Sequence, residues 1–234
     1  MRVKIEPPRC DSVTTAFLFG SHARGDADCG SDIDICAVVR PMTLEELIKT
    51  KSSVEREYTD PRVTISVYTE PTAVSMAEAG ALFIWHLKTE GKLLKDTGGF
   101  SNLLFSQLRP YTGYFEEISI YRTLLSDVQR TLDEYNMLLE IDLHVLQMVC
   151  RNTFVLLTAK EGKPHFGRKG AFARASKMYS ELPINANLYQ NLCEWHFCYS
   201  RNLPAPGKLP TSAEAKSHMH SVNRLLDFSE ERLK

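Results

Sequence analysis

Residues 17 to 39 read FLFGSHARGDADCGSDIDICAVV. Two apolar, β-rich runs, Ala16–Phe19 and Ile33–Val39, flank a glycine-rich polar turn that carries Gly20-Ser21 and closes on Ser31-Asp32-Ile33-Asp34. The pattern predicts strand, loop with a short helical turn, strand. Alternate residues of a strand share a face, so Asp32 and Asp34 present two carboxylates on one side while Ile33 and Ile35 enter the core. Carboxylates a few Å apart repel by about 1 kcal/mol in water and by more in a cleft, so one holds a proton unless a cation lies between them. Hard oxygen ligands of this kind suit Mg²⁺ or Mn²⁺. Gly20 allows close backbone approach to a phosphate, to which the Ser21 hydroxyl and the turn's N–H groups can donate. A solvated surface hairpin would need neither the glycine-serine step nor acids inside an apolar strand.

Gly20-Ser21, ten intervening positions, then Asp32-x-Asp34 with Ser31 in front, resembles the signature of the DNA polymerase β-like nucleotidyltransferase superfamily. The form GSHARGD looks most like its small bacterial branch, the minimal and aminoglycoside-type nucleotidyltransferases. The resemblance is clearest from Val13 to Asp96. It implies a metal-dependent transfer of a nucleoside monophosphate, AMP from ATP by expectation, to a hydroxyl acceptor with release of pyrophosphate. Asp32 and Asp34 would be the catalytic metal ligands and Gly20 with Ser21 the nucleotide-binding pair. The acceptor would be a small antibiotic-like molecule, a protein side chain or an RNA end.

Length and charge bound the rest. A chain of 234 residues has room for one or two domains and a real core. With 28 basic against 29 acidic side chains, no global field recruits nucleic acid or an anionic membrane, so any polyanion must be met locally. No apolar run reaches membrane-span length and no signal peptide opens the chain, which predicts a soluble, cytoplasmic protein. Six cysteines, Cys10, Cys29, Cys36, Cys150, Cys193 and Cys198, are scattered without a CxxC pair and read as reduced thiols. Cys193, His196 and Cys198, with His218 and His220, have the elements of a zinc set, but the first three sit where an amphipathic helix buries its core side.

The expected architecture is α+β: a small mixed β-sheet nucleotidyltransferase domain with flanking helices over residues 1–97, then an all-α helical bundle over 98–234, with the substrate cleft between them. Arg2 to Glu6 is read as a short edge strand. A Thr43/Glu46 capping box opens a helix to Tyr58, and RVTISVYT at 62–69 alternates as a third strand. Pro71 to Glu90 is read as one helix, Lys92 to Lys95 as a fourth strand, and Asp96-Thr97-Gly98-Gly99 as the domain boundary. Beyond it the periodicity is helical throughout: Ser101–Leu108, a long helix from Tyr111 to Tyr135, an all-round apolar central helix Glu140–Ala159, then Lys169–Tyr179, Ala186–Tyr199 and Thr211–Leu233.

The sequence departs from its relatives in one respect. Many carry a third carboxylate on the third strand, whereas Thr64 and Ser66 occupy the positions facing the same way here. A hydroxyl is no general base at neutral pH, so that role falls to Glu70, or to Glu116, Glu117, Glu140 or Asp142 of the bundle, by analogy with aminoglycoside-type relatives. The missing acid also supports an alternative, a catalytically weak, antitoxin-like nucleotide-binding protein. No Arg is followed four to six residues later by His, the mark of ribonuclease partners. Lys160 to Lys177 carries six Lys or Arg, His165 and a single acid, Glu161, and is either a solvated loop or a holder of the triphosphate tail.

Overall fold

The computed structural model describes residues 5–28 and 30–234. Arg2–Lys4 of the expected edge strand lie outside them, as does Cys29; Ile5 and Glu6 carry no regular structure. Among the described residues the chain divides into two compact units, Met1–Thr112 and Gly113–Lys234.

The first unit is built on a four-stranded mixed sheet in the order β3-β2-β1-β4, from β1 (Val13–Phe19), β2 (Ile33–Val39), β3 (Val63–Thr69) and β4 (Lys92–Asp96). β1 runs antiparallel to both β2 and β4, whereas β2 and β3 are parallel. A parallel pair needs a crossover. It is supplied by α2 (Leu44–Glu55), opened by the Thr43/Glu46 capping box. Strand alternation then sorts the sheet. Ile33, Ile35, Ala37 and Val39 pack with Val54 on one face, and Phe17, Cys36 and Val38 pack with Ala73, Ala77, Ile84, Leu87 and Leu104 on the other. With helices on both faces, β2 is apolar on both sides, which is why ICAVV reads as a continuous run.

Two expectations are corrected here. The helix anticipated from Pro71 to Glu90 is two, α3 (Glu70–Glu78) and α4 (Leu82–Glu90). Gly80 adopts φ 69°, the left-handed stop that a glycine makes without penalty, and a β-carbon there would collide with the Pro110 carbonyl. The glycine pair at 98–99 is a turn inside the first unit, so the boundary falls after residue 112 instead of at 97/98. Asp96 Oδ2 accepts from Ser101 Oγ at 2.5 Å and its Oδ1 from Thr15 Oγ1 at 3.1 Å, fastening α5 (Phe100–Ser106) to β1. Phe100 and Leu104 of α5 complete the core against α3 and α4.

The second unit contains α6 (Tyr114–Tyr135), α7 (Glu140–Lys160), α8 (Arg168–Met178), α9 (Ala186–Ser200) and α10 (Ser212–Leu233). As its all-round apolar sequence requires, α7 is central, packing against each of the other four. Its buried Thr153 and Thr158 return their hydroxyls to carbonyls of their own helix, which satisfies those two groups.

Candidate active site

The short helix α1 (Gly20–Arg24) leaves β1 directly, and Gly20 makes the change of direction at φ 70°. Asp34 of β2 is the cross-strand partner of Phe19. Consequently Gly20 lies over Asp34: a β-carbon on Gly20 would overlap Asp34 Oδ2 and stand 3.3 Å from its carboxyl carbon. Only glycine satisfies both the left-handed backbone and this approach.

The two carboxylates differ. Asp32 is exposed and Asp34 half-buried. Burial, and after it the charge of Asp32, push the Asp34 carboxyl up from 3.8 to about 6, against the opposing pull of Arg24 and His22. Ile33 and Ile35 are wholly buried, so the alternation that aims the acids also anchors them. Ser21 sits in the first turn of α1, and its carbonyl accepts the N–H groups of Gly25 and Asp26 at 2.9 and 3.1 Å, closing the helix.

Sequence reasoning gives several supporting residues no role, although His22, Arg24 and Ser31 lie within the motif itself. Arg24 bonds Glu90 at 3.0 Å, tying α1 to α4, and His86 Nε2 lies 3.3 Å from the same carboxylate. Buried Ser31 donates to Asp28 Oδ1 at 2.9 Å and accepts from Asp28 N at 2.9 Å, while His22 Nε2 lies 3.3 Å from the Ser31 carbonyl. These bonds fix the loop that delivers Asp32. A hint of the Asp28–Ser31 clasp exists in the sequence, since an Asp three residues before a Ser at a strand start is a common turn device.

On the third strand the parallel register sets Thr64 beside Asp34 and Ser66 beside Cys36. Thr64, which is exposed, is therefore the third-strand position level with Asp34, while Ser66 belongs deeper, alongside a buried thiol. Among the bundle acids, Asp142 is committed elsewhere: its carboxylate caps α7 by accepting from Leu139 N at 2.8 Å. Glu117 accepts from Tyr121 Oη at 2.7 Å.

Among the described residues no group of three or more His, Cys, Asp or Glu is placed to hold a metal ion. The donor set nevertheless fits one kind of ion. Mg²⁺ is commonly bound by one or two carboxylates, with phosphate oxygens and water filling the remaining positions, and Asp32 with Asp34 supplies that pair. Burial first, and the charge of Asp32 second, disfavour an ionised Asp34, and a cation held by the pair would offset both. At Cys193 and His196, by contrast, the thiol receives Gln147 Nε2 at 3.7 Å and the imidazole stacks on His144 with ring centroids 4.5 Å apart.

Residues 5–75 match the family model described as a nucleotidyltransferase domain. No curated protein sequence is significantly similar to the chain. Solved structures similar to it include a toxin–antitoxin complex with AMP-PNP, at 20% identity over 54% of this chain and 88% of that one, TM-score 0.31. Another is the MntA-HepT toxin–antitoxin complex, at 16% identity over 54% of this chain and 86% of that one, TM-score 0.27. A third is spectinomycin adenyltransferase AAD(9) from Enterococcus faecialis with ATP and spectinomycin, at 12% identity over 93% of this chain and 92% of that one, TM-score 0.49. The assignment of residues 5–75 rests on the family match and on the Gly20-Ser21 and Asp32-x-Asp34 motifs within it.

Proposed function

We propose that this protein, whose residues 5–75 match a nucleotidyltransferase domain, belongs to the DNA polymerase β-like superfamily and moves a nucleoside monophosphate from an NTP, ATP foremost, to a hydroxyl of a small-molecule or protein acceptor. The observation that carries this reading is the apposition of Gly20 and Asp34, so close that any larger residue at position 20 would intrude on the Asp34 carboxylate.

The acceptor oxygen attacks the α-phosphorus, the bond to the β-phosphate oxygen breaks, and pyrophosphate leaves with its electron pair. Asp32 and Asp34 would hold a divalent ion, Mg²⁺ or Mn²⁺. That ion, when bound, neutralises phosphate charge as a Lewis acid. Gly20 lets the backbone close on the phosphates and Ser21 donates a hydroxyl, both holding the chain for in-line attack. The acceptor's proton passes to a carboxylate outside β3. Glu70, at the first turn of α3, is the candidate in the first unit, and Glu116, Glu117 and Glu140 remain for the second. NTP and Mg²⁺ are supplied by the cytoplasm, where the protein is placed on this reading; among the described residues no helix is long and apolar enough to cross a membrane.

Thr64 in the third-acid position favours a second reading, a nucleotide-binding protein that turns over slowly or never. Incubating the protein with each α-labelled NTP and Mg²⁺ or Mn²⁺, alone and with cell lysate, separates the two. A labelled acceptor with matching pyrophosphate supports transfer. Tight nucleotide binding without either product supports the second reading.

A further inference from the structure

The near-zero net charge of the chain conceals a local excess. Residues 160–177 hold six Lys or Arg and one acid, net +5, against −1 for the whole chain, so the remaining residues carry −6. Helix α8 has no acid at all. Its buried side is Ala171 and Ala175, with Phe172 stacked on Tyr189 at 5.0 Å between ring centroids. At about 100° per residue, Lys177 and Arg174 fall about 80° and 140° round the axis from Lys169, on the side away from that core. All three are exposed, and Lys163 adds a fourth exposed cation on the preceding turn. Among the described residues, no ion pair is shown between any of these four and a carboxylate.

We propose that the outer face of α8, with Lys169, Arg174 and Lys177 as its contacts, binds the phosphate backbone of a nucleic-acid duplex. Charge complementarity and spacing choose this occupant. From Lys169 to Lys177 is about 12 Å of helix axis, over which a duplex presents about seven phosphates. The face has the length of a groove edge and carries no aromatic or amide side chain among its exposed residues, so it positions without reading bases. Small exposed Ala173 between Lys169 and Lys177 keeps the face open. This surface lies beyond the nucleotidyltransferase reading and does not depend on it.

The test is fluorescence anisotropy of a labelled mixed-sequence duplex of about twenty base pairs, as RNA and as DNA, titrated with the full chain at 50–200 mM salt without NTP. Three phosphate contacts give a log Kd against log salt slope of about 2.7. Lys169→Gln/Arg174→Gln/Lys177→Gln should remove that slope and weaken binding at least tenfold at 50 mM salt. Lys49→Gln/Lys51→Gln/Lys216→Gln, which removes equal charge elsewhere, should leave Kd within twofold. Each single substitution on α8 should take away about one third of the slope, which keeps the test valid if the triple variant is unstable. The proposal is overturned by no duplex binding at 50 mM salt, by equal losses in both triple variants, or by a preference for anionic lipid vesicles or poly-glutamate over the duplex.

Discussion

Gly20 lies so close to Asp34 that no side chain fits between them: a β-carbon on Gly20 would overlap Asp34 Oδ2, and the glycine holds φ 70°. Gly20→Ala therefore incurs two costs, about 1–2 kcal/mol for the left-handed backbone and a further cost for the clash. Removing the carboxyl should relieve only the second. In a double-mutant cycle by urea unfolding, Gly20→Ala is expected to cost at least 0.5 kcal/mol less, to order of magnitude, in an Asp34→Ala background than in the parent. Additive effects would mean that the two residues do not meet.

Asp34 should also show itself in the pH dependence of stability. Its folded carboxyl is raised to about 6 by burial and by Asp32. A raised acid holds its proton in the folded state after the unfolded state has released its own, so its contribution is fully present below about 4 and is lost as pH rises through 6. Asp34→Asn should accordingly melt higher than the parent at pH 7.5, and the difference should vanish near pH 4. A variant that melts lower at pH 7.5 contradicts the raised carboxyl.

The register of β3 ranks two substitutions that strand alternation alone treats alike. Thr64 neighbours Asp34, about 4.8 Å away across parallel strands, whereas Ser66 neighbours buried Cys36. Thr64→Asp should tighten Mg²⁺ or Mn²⁺ binding and raise any slow turnover, with little loss of stability because the site is exposed. Ser66→Asp should leave metal affinity unchanged and lower the melting temperature. Calorimetric metal titration of both variants distinguishes these outcomes, and equal affinities would argue against the register.

In the bundle, His196 lies parallel to His144, and burial first, then the fields of His144, Arg168, Arg151 and Arg201, drive its imidazole down to about 4. A base that is harder to protonate folded than unfolded leaves stability intact above about 6.5 and erodes it as pH falls toward 4. The urea midpoint of the second unit should drop across that window, and His196→Gln should flatten the drop. An equally steep fall in the variant would place the acid sensitivity elsewhere.

The first unit was legible wherever a local rule governs the chain. The Thr43/Glu46 box, the alternation around Asp32 and Asp34, and the strand RVTISVYT all carry their geometry in neighbouring residues. The split at Gly80 is not legible because the apolar pattern continues through Ala79-Gly80-Ala81, while the contact that excludes a side chain there, with the Pro110 carbonyl, comes from thirty residues on. The Gly98-Gly99 turn reads as a boundary because glycine pairs mark linkers, while the bonds beside it, from Thr15 and Ser101 to Asp96, are tertiary. For the same reason the contacts of Arg24 and His86 with Glu90 leave no trace in the sequence, although Arg24 itself lies within GSHARGD. Their spacing is set by the packing of α1 on α4.

The central claim, that Asp32 and Asp34 beside Gly20 bind a metal–nucleotide complex, is tested most directly by thermal unfolding of the parent and of Asp32→Asn/Asp34→Asn with ATP, with and without Mg²⁺. At a ligand concentration of about 100 Kd, binding adds about 2.7 kcal/mol to the folded state, a shift of several degrees. The expected result is that shift in the parent with Mg²⁺-ATP and its loss in the double variant, which stays folded because Asn keeps the shape and removes the charge. An equal, Mg²⁺-dependent shift in both proteins would place the nucleotide somewhere other than at this carboxylate pair.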